Sequence, residues 1–329
     1  MRPRAKNHIP VIFTRVHSRL PSKADEKFIY YSNMPITFQI AQIMFPLIVI
    51  VSVGFLVGIR QKPQLDVINN INLNIFIPAL VFSSLLEQNF EFKSYFVLGL
   101  CGLILVLVTA LIALPIAGLI KTQYRTIAPT MMFHNAGNVG LPLMTLAFGA
   151  EGLAAALILF IVCNILHFGL GSYMLDDKPR WLRSITSPSI IAAILALSLQ
   201  FLHLQPAEFV TLPIKMLGNI AVPLMLFSLG IQLSNTNYQY WKLGITIGLL
   251  TPIAGVLIAL IITMFAPLNN IQTASLILFG ALPPAVMNVL FAQNYSQEPT
   301  KVSAIVLIGN LFAIFTLPLA LLYVLPKYS

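Results

Sequence analysis

The chain has 329 residues, of which 58% are hydrophobic and only 9% charged, against roughly a quarter charged in an ordinary soluble protein. So few charges cannot cover a water-exposed surface, which excludes a large soluble catalytic domain. The formal charge of +9 sits mostly in short loops between apolar runs, where it reads as topology signal and lipid-headgroup contact rather than as a nucleic-acid surface.

In chain order, residues 1–33 form a basic leader with Pro3, Pro10 and Pro21 and no apolar signal core. Residues 1–38 are expected to be a disordered extension and lead-in, with the functional chain starting at Met34. Apolar runs of the length needed to cross a bilayer as helix then fall near 40–59, 67–86, 95–120, 126–149, 152–175, 189–204, 212–233, 243–266, 271–292 and 302–325. The reading is an all-α integral membrane protein with ten transmembrane helices.

Loops after the odd-numbered spans carry Arg60, Lys62, Lys121, Arg125, Lys178, Arg180, Arg183, Lys242 and Lys301; the other side, leader aside, carries Lys93, Lys215 and Lys327. This asymmetry puts the first group in the cytoplasm and both ends of the bundle on the outer side of a cytoplasmic membrane.

The chain divides into a five-span repeat at 39–175, a polar linker at 176–188 and a second five-span repeat at 189–329. Ile77 to Leu85 matches Val222 to Gly230, pairing Pro78 with Pro223, Phe82 with Phe227, and Ser83 with Ser228 at a constant offset of 145 residues. An odd number of spans per half means that the second half enters the membrane inverted. Interrupted spans at matching places in inverted repeats point to the binding site of a secondary transporter.

The fourth span is interrupted by HNAGNVGLP, His134 to Pro142, and the ninth by ALPPAVMN, Ala281 to Asn288. Pro142, Pro283 and Pro284 lack a backbone donor, and Gly137 and Gly140 loosen the helix. Backbone freed at that depth must be buried in protein or line a wet cavity. A half-helix N-terminus there offers free N–H groups to an anion. Asn135, Asn138 and Asn288 add side-chain amides. The competing reading is a pair of proline kinks with amides bonding neighbouring helices.

These residues resemble the auxin efflux carrier family in its bacterial branch, which includes malonate transporters. The resemblance rests on NAGNVGLP (Asn135 to Pro142) and ALPPAVMNVLFAQNY (Ala281 to Tyr295), with the start at Met34 to Gly58 and Pro318 in support. It implies two inverted five-helix repeats in which the broken helices four and nine cross at a central site between a scaffold and a mobile unit. It also implies export or import of small organic anions by an elevator-like motion. By matching position it assigns Asn135 and Pro142 to the first crossover and Pro283, Pro284 and Asn288 to the second.

The expected function is a secondary transporter for a carboxylate-bearing solute, working by alternating access. The substrate-binding set is Asn135, Gly137, Asn138, Gly140, Pro142, Pro283, Pro284 and Asn288. His134 and Glu87 are candidates for coupling, and Phe82 and Phe227 for closing the pocket. Cys101 and Cys163 lie inside spans and suggest neither disulfide nor metal. No cofactor is expected; a coupling proton or sodium ion and a homodimer stay open. The partners are the organic anion and membrane lipid. The alternatives are an integral-membrane enzyme with a lipid-soluble substrate, disfavoured because HExxH, GxSxG and Asp-rich diphosphate motifs are absent, and a non-transporting sensor; the absence of a Walker pattern speaks against ATP hydrolysis by that route.

Overall fold

The computed structural model describes residues 34–87, 92–175, 187–234 and 239–328. The leader at 1–33 and most of the linker at 176–188 therefore lie outside the described residues. By compactness the chain divides into Met1–Pro35 and Ile36–Ser329, and the described helices all belong to the second unit.

Every regular element among the described residues is helical. In chain order they are α1 (Ile36–Gln61), α2 (Leu65–Ile71, Asn72–Phe76 and Ile77–Glu87), α3 (Phe92–Leu119), α4 (Tyr124–Met132), α5 (Ala136–Gly140 and 141–148) and α6 (150–166, His167–Gly171 and Ser172–Leu175). After them come α7 (Pro188–Phe201), α8 (Glu208–Leu233), α9 (Trp241–Thr263), α10 (Asn270–Ala281), α11 (Met287–Asn294) and α12 (Pro299–Tyr328).

Seven helical stretches among the described residues are long and apolar enough to cross a membrane: Ile36–Gln61, Val67–Glu87, Tyr95–Leu119, Ala136–Leu175, Glu208–Leu233, Trp241–Thr263 and Pro299–Tyr328. The difference from the ten expected runs has physical causes. Ala136–Leu175 merges α5 and α6, which are parted at Gly149, whose φ of 62° and ψ of −140° lie outside helix space and suit a residue without Cβ. Pro188–Phe201 is apolar but shorter. The fourth and ninth expected spans are split into α4 with α5 and α10 with α11.

Packing sorts the helices into two groups. α1 packs chiefly on α8, and α2 on α7 and α8. In the other group α3 packs on α4, α9 packs on α10 and α12, residues 141–166 of α5 and α6 pack chiefly on α3 and α10, and α11 packs on α12. Small residues let backbones touch, as is usual where lipid offers no hydrophobic drive. A Cβ added at Gly54 would lie 2.1 Å from the Phe227 carbonyl oxygen, and one at Gly230 would lie 2.0 Å from that of Val51. The same closeness joins Gly255 of α9 to Gly280 of α10.

Two polar clusters mark the ends. Thr126 donates to Glu298 at 2.6 Å, and Gln297 donates to Gln123 at 2.6 Å, so the starts of α4 and α12 lie at one face. Lys301, which pairs with Glu298, also stands 5.8 Å from the Tyr240 ring ahead of α9. Elsewhere, Lys215 at the start of α8 pairs with Glu87 at the end of α2, at 2.7 Å.

Candidate functional site

The helix between α4 and α5 opens at Phe133 (φ −98°, ψ 101°) and Asn135 (φ −75°, ψ 58°). The one between α10 and α11 opens at Leu282 (φ −65°, ψ 146°), ahead of the two prolines that cannot donate to a preceding turn. The two openings cross and pair antiparallel, with His134 opposite Pro284. Asn135 N–H donates to the Pro283 carbonyl at 2.8 Å, and Ala285 N–H to the Phe133 carbonyl at 2.8 Å. Each break thus satisfies part of the backbone freed in the other, as burial at membrane depth demands.

Four amides are left over. Gly137 and Asn138 lie in the first turn of α5, Met287 opens α11 and Val286 caps it; none of the four amides bonds the residues of the break before it. All four residues line one cavity of about 80 Å³, together with His134, Asn135, Ala136 and Ala285 of the crossing and Phe160, Cys163, Asn164 and His167 of α6. Leu73 and Ile77 of α2 and Met225 of α8 close it from the other packing group. The cavity therefore sits on the junction between the two groups.

The three stretches of wide, π-helical turn among the described residues, Asn72–Phe76, Ala136–Gly140 and His167–Gly171, all contribute to this wall through Leu73, Ala136 to Asn138, and His167. Such turns leave the regular hydrogen-bond ladder and are common at functional sites. Buried polar atoms are left without hydrogen bonds around the cavity: both ring nitrogens of His134, Nε2 of His167 and Oδ1 of Asn288. The His167 ring stacks on Phe133 at 4.1 Å, and the His134 ring is tilted against Phe279 at 5.2 Å.

Of the expected site residues, His134, Asn135, Gly137 and Asn138 come together on the cavity wall. Gly140 is buried one turn on, where a Cβ would approach Leu282 Cδ1 to 2.9 Å. Pro142 is buried in α5. Pro283 and Pro284 turn their carbonyls to Asn135 and to Asn310. Asn288 donates to the Phe133 carbonyl at 3.4 Å, bracing the crossing. Phe82 and Phe227 are not among the lining residues; Leu73, Ile77, Phe160 and Met225 supply the apolar wall. Glu87, half exposed and ion-paired to Lys215, also lies off the cavity wall.

Asn310 of α12 is a partner to which no cluster in the sequence points. Its Oδ1 accepts from Asn135 Nδ2 at 2.8 Å, and its Nδ2 donates to the carbonyls of Pro284 at 2.9 Å and Val306 at 2.8 Å. Asn310 also lines a second cavity of about 80 Å³, walled by Val139 and by apolar residues of α1, α8 and α12. The Asn135–Asn310 pair thus stands between two cavities, both on the junction of the packing groups. Asn164 is a second such residue; its only signal is an amide within an apolar run.

Comparison with known proteins agrees with a membrane carrier. The model of the Membrane transport protein family matches residues 39–180 and 177–321. An uncharacterized transporter of Methanothermobacter thermautotrophicus is 22% identical over 297 residues, covering 83% of this chain and 94% of the relative. An uncharacterized transporter of Methanocaldococcus jannaschii is 24% identical over 305 residues, with the same two coverages.

Proposed function

The chain belongs to the Membrane transport protein family, and from that premise we propose that it is a secondary transporter moving a small carboxylate-bearing anion across the cytoplasmic membrane by alternating access. The observation that carries the anion is a set of four residues at the starts of two crossing half-helices that line one cavity and whose amides have no partner in the preceding turns. N–H groups at helix starts favour negative charge, and in a site of low dielectric they need no lysine or arginine beside them.

Alternating access is supported by the position of the cavities. Both lie where α1, α2 and α8 meet the other group, so sliding one group past the other would open or close them. Ten membrane crossings follow if α4 with α5, and α10 with α11, each count as one broken span. Two inverted halves are supported by the antiparallel pairing of the breaks. They are also supported by the matching of α1 on α8 with α7 on α2, and of α3 on α4 with α9 on α10. The contact of Thr126 with Glu298 brings together two loops assigned to the cytoplasm by their basic residues. On this reading the solute's carboxylate sits against Gly137, Asn138, Val286 and Met287, Asn135 and Asn288 hold the crossing, and the auxin efflux carrier resemblance extends to mechanism.

A thermal-shift screen of the purified chain against mono- and dicarboxylates, with and without sodium, at two pH values tests the proposal. A carboxylate should raise the midpoint, since a ligand at a hundred times its Kd stabilises by about 2.7 kcal/mol. Uniform indifference to every carboxylate, with a folded protein, would sink it.

A further inference from the structure

Among the described residues, no lysine, arginine, aspartate or glutamate lines the cavity at the crossing. Its titratable lining groups are His134, Cys163 and His167. The described residues that share the cavity with His134 add no charge: Leu73 and Ile77 come from α2, Met225 from α8, residues 285–287 from the second break and Cys163 from α6, its thiol 3.9 Å from the His134 carbonyl, while Phe279 of α10 lies against the imidazole. A carboxylate drawn into such a place has dipoles to greet it but no counter-charge, and an isolated charge at that depth is costly. The thiol of Cys163 can only lose a proton, which would repel the anion. Only an imidazole can gain one.

Between the two imidazoles the surroundings decide. His167 is enclosed by rings, flat against Phe133 at 4.1 Å and 4.5 Å from Phe291, and it interacts with the Asn288 side chain. His134 is 1% exposed, belongs to the crossing itself, and has no well-formed hydrogen bond at either ring nitrogen, its one polar neighbour being the Met132 backbone at marginal geometry. A histidine buried on the cavity wall with no more than a marginal backbone contact is short of partners that a carboxylate and a proton would supply together.

We infer that His134 is the coupling site, taking up one proton from the aqueous phase as the anion binds and returning it when the anion leaves. This rests on the anion-transporter reading above. The balance is simple: imidazole plus a proton gives imidazolium beside the carboxylate, and release reverses both. Because the two ligands help each other reciprocally, anion affinity falls as pH rises through the titration of the occupied site.

The experiment titrates the purified full chain calorimetrically with acetate, pyruvate, malonate and succinate, each in two buffers of different ionisation enthalpy, between about pH 6.5 and 8.5. Any ligand that binds should take up close to one proton per molecule in the lower part of that range, the uptake declining as pH rises through the titration of the occupied site, with affinity weakening by up to about tenfold per pH unit. His134→Gln and His134→Asn should bind with no proton uptake and a flat pH profile, whereas His167→Gln should keep the uptake. In vesicles carrying the wild-type chain, an imposed pH gradient should drive uptake of the same ligand and an internal dye should register the accompanying proton. If the wild-type chain binds and carries a carboxylate without proton uptake, the coupling is wrong while the anion reading stands. If uptake survives in both His134 variants, the proton sits elsewhere and the assignment fails. If neither His134 variant folds, the wild-type stoichiometry together with loss of uptake in His167→Gln would overturn the assignment, and its retention would uphold it. If none of the four anions binds or moves, the transporter reading falls first.

Discussion

Asn135 gives its side-chain amide to Asn310 at 2.8 Å, and Asn310 in turn gives its own to the Pro284 carbonyl at 2.9 Å. One residue of α12 therefore ties the first break to the second. Both asparagines are buried, so truncating either leaves a polar group without its partner, at a cost of about 1–3 kcal/mol. Asn310→Ala should lower the midpoint of thermal unfolding and cut transport by about tenfold, much as Asn135→Ala should. The double variant should cost less than the sum, with a coupling of about 0.5–3 kcal/mol. Strict additivity would mean that the two side chains act apart.

Gly149 has a backbone that other residues adopt only under strain, yet open space surrounds the position where a Cβ would go. Gly149→Ala should therefore destabilise through the backbone alone, by about 1–3 kcal/mol. Gly118, likewise with nothing near its absent Cβ but within helix α3, is the control, and Gly118→Ala should be neutral or slightly stabilising. Midpoints of thermal unfolding for the two variants check this; equal midpoints would show that the turn between α5 and α6 is not fixed by the glycine.

Glu298 predicts a pH dependence. Burial pushes its carboxyl up, but hydrogen bonds from Lys301 and Thr126 and the Lys301 charge together outweigh it and hold the carboxyl below its ordinary value of 4.5. A depressed folded value means that the stabilisation is fully present above that ordinary value and is lost as pH falls through the lower one. Unfolding midpoints followed downward from there should drop more steeply for the wild type than for Glu298→Gln. Parallel curves would show that the Thr126–Glu298 link carries no weight.

Glu87 is paired with Lys215 with both side chains about half exposed, and exposed pairs of this kind contribute about 0–1 kcal/mol. Glu87→Gln should leave the response of transport to a pH gradient unchanged. Loss of that response would move the coupling role from the cavity to this surface.

The breaks were legible in the sequence because their cause is local: tandem Pro283 and Pro284, and glycines among asparagines, disrupt a helix wherever it lies. The seven helical stretches of crossing length also fall on expected apolar runs. What closes the cavity was not legible. Phe82 and Phe227 matched each other by repeat position, but neither lines this cavity, where Leu73, Ile77 and Met225 stand instead. Asn310 looks like one amide in a uniform apolar helix. Its meaning depends on α12 lying beside the crossing, which no spacing within its own segment records.

The two bonds that clasp the breaks, Asn135 to Pro283 and Ala285 to Phe133, run from main chain to main chain. A frame made of peptide groups survives when neighbouring side chains are exchanged. On the transporter reading, the shape and polarity of the chamber would change with its side chains while this skeleton stayed put, so that one architecture would suit cargoes of different chemistry.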